Sequence, residues 1–268
     1  MSSQDYLHGY TLEEKQRLIE QAKFWQDSLI LREVDFPPGS KILEIGCGVG
    51  AVLGIIGQNY PDVKLAGIDL DSSQIDFARN YLNSLNLHSV DLKIGDATKL
   101  PWNNNSFDYV YGIWILEHIK NPLPILKEAF RVLKPGGKII LNETDLMTLL
   151  VYPDSEDYTY LQRTFFELLN YTGNAYIGRM LGFLLRESGF TDIKNTPWGY
   201  HYFQPSELQL FIPYVTELFT QILEPASQKL NKNIDKLKSG LSFFQSLVNL
   251  PESSVTVTVY RAVGVKNN

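Results

Sequence analysis

Between residues 40 and 145 the hydrophobic positions change period repeatedly. Short apolar runs stand at 41–45, 64–68, 90–94, 107–111 and 138–141, and the stretches between them are helical in spacing or read as loops. Such alternation predicts a parallel sheet whose two faces are both covered by helices. Asp71-Ser72-Ser73 opens a helix through Ile75, Ala78 and Leu82. Asn121-Pro122 opens another, which ends at Leu133 ahead of Lys134-Pro135-Gly136-Gly137. Upstream, Thr11 followed by Glu14 reads as a capping box, and Leu18, Ile19, Ala22, Trp25 and Leu29 recur at helical spacing up to Pro37-Pro38-Gly39.

Past Asp145 the pattern loosens. An aromatic-rich helical segment around Tyr158, Phe165 and Tyr171 is followed by a helix over 177–188 closed by Gly189, then by a strand from about Thr191. Residues 205–250 read as helical, with Pro213 and Pro225 expected to interrupt them. Finally Val255, Val257 and Val259 alternate with Thr256, Thr258 and Tyr260, the period of a half-buried strand whose one available partner is the distant core sheet. The expected fold is α/β: a Rossmann-like, doubly wound, seven-stranded sheet, mostly parallel with an antiparallel C-terminal strand, plus helical lid insertions. The expected organisation is a single domain over 1–268. It has an N-terminal helical lid (1–38), a cofactor-binding core (39–145), helical insertions (146–175 and 205–250) and a C-terminal strand (251–268).

Composition narrows the function classes. A chain of 268 residues that is 44% hydrophobic and 20% charged has material for a sizeable core, which excludes wholesale disorder. A net charge of -6 argues against nonspecific nucleic-acid binding. The single Cys47 forms no internal disulfide and excludes a multi-cysteine metal site, so a reducing, cytoplasmic compartment is expected. No basic-then-apolar leader and no long apolar span is legible, so neither secretion nor membrane association is expected.

The strand at 41–45 runs into Gly46-Cys47-Gly48-Val49-Gly50, and a helix follows from Ala51. Alternate glycines let the chain turn sharply and let a ligand approach the backbone at the carboxyl edge of a strand. Gly46, Gly48 and Ala51 also satisfy the dinucleotide pattern, so the glycines alone leave open a nicotinamide cofactor or another adenosine ligand. Two acids sharpen the choice. Glu44, two residues before Gly46, would repel a pyrophosphate and attract a cationic group. Asp69 ends the second strand, where a carboxylate can accept from both ribose hydroxyls.

Together with Gly67-Ile-Asp69, Gly95-Asp96-Ala97, Phe107-Asp-Tyr-Val-Tyr111, Leu116-Glu-His118 and Val132-Leu-Lys-Pro-Gly-Gly137, the stretch Leu43–Gly50 resembles class I S-adenosylmethionine-dependent methyltransferases. His8-Gly9-Tyr10 and the helix after it resemble the lid of a small-molecule branch of that family. The resemblance implies S-adenosylmethionine as cofactor. Glu44, Gly46 and Gly48 would border its methionine, Asp69 its ribose, Asp96 and Ala97 its adenine, and Leu70 the adenine face, with Cys47 also among the cofactor-binding residues. Gly112–Trp114, with Ile113 and Trp114 foremost, would line the sulfonium side. Tyr10 and Arg17 would close over the methionine carboxylate, the guanidinium being suited to bidentate binding.

Sulfonium methyl transfer is an in-line displacement dominated by positioning, and it needs a base only where the acceptor must lose a proton. His118 and His201 are the catalytic candidates, with His8, Glu143 and Asp145 behind them, and their spacing forms no triad or metal site. The Asn-Pro-Pro-Tyr/Phe signature of many nucleobase and amide methyltransferases is replaced by Tyr111-Gly-Ile-Trp-Ile115. Tyr152, Tyr158, Tyr160, Tyr171, Tyr176, Trp198, Tyr200, Tyr202 and Phe203 would suit a mostly apolar pocket. The expected acceptor is therefore a small molecule, and the expected assembly a monomer or homodimer. A noncatalytic S-adenosylmethionine-binding protein and an NAD-dependent oxidoreductase are the alternatives.

Overall fold

The computed structural model describes residues 11–267. In chain order the elements are α1 (Leu12–Phe24), a π-turn (Gln26–Ile30), β1 (Lys41–Ile45), α2 (Ala51–Asn59), β2 (Lys64–Asp69), α3 (Ser72–Ser84), β3 (Asp91–Ile94), β4 (Phe107–Ile113) and α4 (Leu123–Val132). They continue with β5 (Leu133–Tyr152), α5 (Glu156–Thr172), α6 (Ile177–Glu187), β6 (Thr191–Tyr202), α7 (Pro205–Leu230), α8 (Ile234–Ser246) and β7 (Ser254–Val265).

The seven strands form one sheet in the order β3-β2-β1-β4-β5-β7-β6. The pairs from β3 through β5 are parallel, and β7 runs antiparallel to both β5 and β6. The C-terminal alternation is borne out: Val255, Val257 and Val259 are buried, while Thr256 and Thr258 are half-buried. Strand order reverses between β1 and β4, so their carboxyl ends diverge and leave a crevice there. Pro197 falls within β6, which is tolerated because β6 is an edge strand. No helix among the described residues is long and apolar enough to cross a membrane.

Three expectations give way. The insertion expected over 146–175 begins as strand. After pairing through Asp145, β5 shifts register and pairs again from Leu150 to Tyr152 with the first residues of β7. The strand-forming residues 149–152 have an open neighbour in β7, and a bulge between the two paired stretches absorbs the slack. Residues 205–230 form one helix through Pro213 and Pro225. Leu208, Phe211, Ile212, Val215, Phe219, Ile222, Leu223 and Ala226 make a continuous buried stripe, and the two prolines lie outside it. Burying that stripe outweighs the roughly 3 kcal/mol an interior proline costs. The break falls instead at Asn231, whose φ of 52° ends the helix, and Asn233 caps α8. Glu14 also departs from a reciprocal capping box: Thr11 accepts its backbone N–H at 3.2 Å, but its carboxylate turns to Arg17.

The leading segment is fastened to the sheet by a buried polar cluster. Arg261 of β7 donates to the carbonyls of Leu29 and Arg32, and its Nε donates to Asn142 Oδ1 at 2.7 Å. Asn142 donates in turn to the Tyr111 hydroxyl at 2.8 Å, which donates to the Ile30 carbonyl at 3.2 Å. These bonds satisfy carbonyls that the π-turn leaves without helical partners. Arg261→Leu removes the cationic donor and strands several buried acceptors. It is expected to destabilise the fold by at least about 1.5–3 kcal/mol in urea unfolding, whereas the exposed Arg79→Leu should change stability by under about 0.5 kcal/mol.

Candidate active site

A cavity of about 560 Å³ lies over the carboxyl ends of β1, β2 and β4. Its floor is the glycine loop. Gly46, Gly48 and Gly50 have φ of 65°, 46° and 74°, the left-handed region that side chains with a Cβ rarely adopt. They serve different ends: a Cβ on Gly46 would collide with Ile115 at 2.4 Å, whereas a Cβ on Gly48 would meet nothing within 4 Å. Gly48 therefore presents its backbone to open space. Asp69 holds it there, its Oδ2 accepting the Gly48 N–H at 2.9 Å and its Oδ1 the Asp71 N–H at 3.0 Å.

Two buried acceptors in the wall have no hydrogen-bond partner, Glu44 Oε2 and Gln74 Oε1. Glu44 is 2% exposed, and burial, aided by the neighbouring Asp69, pushes its carboxyl well above the usual range. Asp69 is also raised by burial, against the N–H groups it accepts. Asp96, at the rim, is instead held below the usual range by the Thr98 N–H. Such a wall is short of positive charge and of donors, and both are what a cationic, hydroxyl-bearing ligand would bring.

Across the crevice, Trp114 sits at φ 50°, a strained conformation for a bulky residue. Its N–H donates to Asn142 O at 3.0 Å and its indole to Thr144 Oγ1 at 2.9 Å, which fix the ring in the wall. Glu117 follows on the next turn. Its carbonyl accepts from Asn174 N at 2.8 Å, its Oε1 lies 3.4 Å from His118 Nε2, and burial pushes its carboxyl up to about 7. Behind it Glu143 is fully buried, accepting from Ile115 N and Leu116 N, and burial together with Glu117 raises it well above the carboxylate range.

Arg17, Glu44, Gly46, Cys47, Gly48, Asp69, Leu70, Asp96, Ala97, Ile113, Trp114 and His118 all line this cavity. Other expectations are corrected. His201 is exposed on β6, bonded through Nδ1 to Thr256 Oγ1 at 2.7 Å, and is no part of the wall. Gly112 packs tightly between Ile45 and Leu141, where a Cβ would press on both, and it is no part of the cavity lining. Asp145 is buried against Arg179, and with Glu143 lies outside the lining. Arg17 is in the wall, but its fork is taken by Glu14, Nε to Oε2 and Nη2 to Oε1 both at 2.7 Å, so the guanidinium faces a carboxylate of its own helix. Tyr10 and His8 lie outside the described residues.

The expected aromatics are also elsewhere. Tyr158 stacks on Phe244 between helices, and Trp198 lies beneath Arg32 and Arg261. The aromatic wall is Trp25, Trp114, Phe165, Phe211 and Tyr214, contributed by α1, α5 and α7 as well as the core. Gln74 and Glu117 were missed. Gln74 had a signal as the third residue of a capped helix, and Glu117 as the middle of Leu116-Glu-His118.

Residues 43–141 match the family model described as a methyltransferase domain. Phosphoethanolamine N-methyltransferase 3 of Arabidopsis thaliana is 31% identical over 160 residues, 60% of this chain and 30% of that protein. The demethylmenaquinone methyltransferase of Bacillus mycoides (strain KBAB4) is 35% identical over 132 residues, 48% of this chain and 54% of that protein. The chain thus spans about half or less of the length of these curated relatives. The structure of Haemonchus contortus phosphoethanolamine N-methyltransferase 2 with phosphomonomethylethanolamine and S-adenosylhomocysteine superposes with a TM-score of 0.56. It is 19% identical and covers 99% of this chain and 57% of that one, a likeness of fold.

The buried acids set the pH response. Glu44, Glu117 and Glu143 have folded values raised above their unfolded ones, so their stabilising contribution is complete below the unfolded value and is lost as pH rises towards the folded one. Asp96 and Glu128, which are lowered, act in the acid range instead. The urea midpoint is expected to fall between about pH 5.5 and pH 8, and Glu143→Gln to flatten that fall. A midpoint that rises over this window contradicts the assignment.

Proposed function

We propose, from a core whose residues 43–141 match a methyltransferase-domain family model, that the protein is a class I S-adenosylmethionine-dependent methyltransferase and transfers a methyl group to a small-molecule acceptor. The observation that carries the reading is the floor of the cavity. Gly48 presents bare backbone to open space beside two buried acceptors that lack partners, Glu44 Oε2 and Gln74 Oε1. An amino acid ammonium and ribose hydroxyls are the donors that would satisfy such a floor, whereas a pyrophosphate would meet buried carboxylates.

When bound, S-adenosylmethionine supplies an electrophilic methyl group on a sulfonium. Asp69 accepts from the ribose hydroxyls with the lone pairs left after Gly48 N and Asp71 N are served. Glu44 faces the methionine ammonium, whose charge draws its carboxyl back towards the ionised form. Asp96 accepts from the adenine amino group, and Ala97 and Leu70 line the ring. Ile113 and Trp114 wall the reacting end. The helical wall from α1, α5 and α7 excludes water and holds the acceptor in line, the contribution on which a displacement depends most. Demethylmenaquinone and phosphoethanolamine methyltransferases, the relatives named above, act on small molecules, and a cavity of about 560 Å³ is in the range of small-molecule sites. Acceptor entry requires that helical wall to open, so α1 and the first half of α7 are expected to exchange amide hydrogens more slowly with cofactor than without it.

Calorimetry tests the site. S-adenosylmethionine is expected to bind and NAD not to. Gly48→Val, which fills the open side and strains a φ of 46°, is expected to abolish binding in a protein that circular dichroism finds folded. Asp69→Ala is expected to weaken it by about 1.5–3 kcal/mol. Unchanged affinity in either variant would falsify the placement of the cofactor.

A further inference from the structure

The two halves of the cavity differ chemically. Glu44, Asp69 and Asp96 belong to the glycine-loop half, while the half beneath α5 and α7 is walled by Leu146, Leu149, Phe165, Leu169, Phe211 and Val257. Glu117 lines the same cavity with 13% of its side chain accessible. Its backbone is fixed by the α5–α6 connection, where Asn174 N donates to its carbonyl and Gly173 leaves no room for a Cβ against it.

The groups that face Glu117 leave it as the proton acceptor of this half. On α1, Arg17 attracts it, but that guanidinium is bound by both oxygens of Glu14, which also accepts from Gln221 of α7 at 2.7 Å. On α7, burial pushes the Tyr214 hydroxyl up to about 12, so it keeps its proton. On β5, Glu143 accepts two backbone N–H groups, is fully buried, and is raised well above the carboxylate range by burial and by Glu117. Burial leaves Glu117 itself at about 7, where a carboxylate is basic enough to take a proton at neutral pH. His118 is its immediate neighbour, and Lys120 is an exposed residue of the lining.

We propose that Glu117 is the catalytic base, and that the acceptor it serves is a predominantly apolar molecule carrying one hydroxyl or amine proton. The inference rests on the methyltransferase reading above. The acceptor's O–H or N–H bond breaks and its proton moves to a Glu117 carboxylate oxygen. The heteroatom's electron pair forms the bond to the methyl carbon as the carbon–sulfur bond breaks, with that pair staying on sulfur as a neutral thioether. Glu117 then releases the proton to solvent when product leaves. The compartment fits an apolar skeleton because an additional charged group would be desolvated there against leucine and phenylalanine side chains.

The test uses the full chain saturated with S-adenosylhomocysteine, with 2-naphthol as probe and naphthalene as the matched probe without the hydroxyl. Binding is measured by calorimetry from about pH 5.5 to about pH 8.5, spanning the ionisation of Glu117. A charge-assisted hydrogen bond predicts that 2-naphthol binds the wild type roughly 10- to 100-fold more tightly above pH 7 than at the acid end, while naphthalene shows no such change. Glu117→Gln is expected to remove that pH dependence and leave S-adenosylhomocysteine affinity within about twofold. The pH dependence of the wild type stands as a test even if the variant does not fold. No binding of either probe overturns the apolar compartment. A pH-independent 2-naphthol affinity in the wild type, or a pH dependence kept in Glu117→Gln, overturns Glu117 as the base. Failure of S-adenosylhomocysteine itself to bind overturns the underlying reading, and calorimetry without probe reports it separately.

Discussion

The carboxylate of Asp69 ties the glycine loop to the end of β2, and the site is built outward from that tie. By accepting from Gly48 N and Asp71 N it fixes the loop after β1 and the start of α3 in one stroke. Of the loop's left-handed glycines, Gly48 then presents its backbone to open space. The sheet order supplies the rest, because β1 and β4 part at the point where strand order reverses and leave the crevice above them open. A sheet of different order would carry the same loop without a cavity over it.

Burial of acid is the second organising force. Glu44, Glu117 and Glu143 are all pushed up by desolvation, which disfavours their charged forms. A cationic ligand reverses that balance at Glu44, and an acceptor proton has a place to go at Glu117. Glu143 sits deeper, and its two backbone bonds hold the turn at Ile115 and Leu116 that carries Glu117 to the wall. Arg17, buried in the wall, is paired with Glu14 of its own helix.

Much of this was legible in the sequence where local pattern and chemistry coincide. Apolar runs located β1 to β4 to within a few residues and the middle of β5, the alternation of Val255, Val257 and Val259 placed the last strand, and Glu44, Gly48 and Asp69 followed from strand ends and glycine spacing. What was not legible depends on distant partners. Residues 146–152 became strand because β7 offers them an edge, and α7 passed through two prolines because its buried stripe is continuous. The pairing of Arg17 with Glu14 is local, yet its burial is decided by α7, some 200 residues on, where Gln221 closes over it. His201, a catalytic candidate in the sequence, is carried away from the crevice by an edge strand. Glu117 was hidden by its neighbour, since the histidine of Leu116-Glu-His118 draws attention at neutral pH and only burial makes the glutamate comparable.

The central claim, that the backbone around Gly48 and the acids beside it form a cradle for an adenosyl sulfonium, is tested most directly by a crystal structure of the protein grown with S-adenosylhomocysteine. The account predicts density running over Gly48, with the ribose hydroxyls on Asp69, the amino group within hydrogen-bond distance of Glu44, and the sulfur directed towards Trp114 and the apolar half of the cavity. Density for the ligand at another place in the molecule, or in this cavity with the adenine on Glu44 and the amino acid on Asp96, would contradict it.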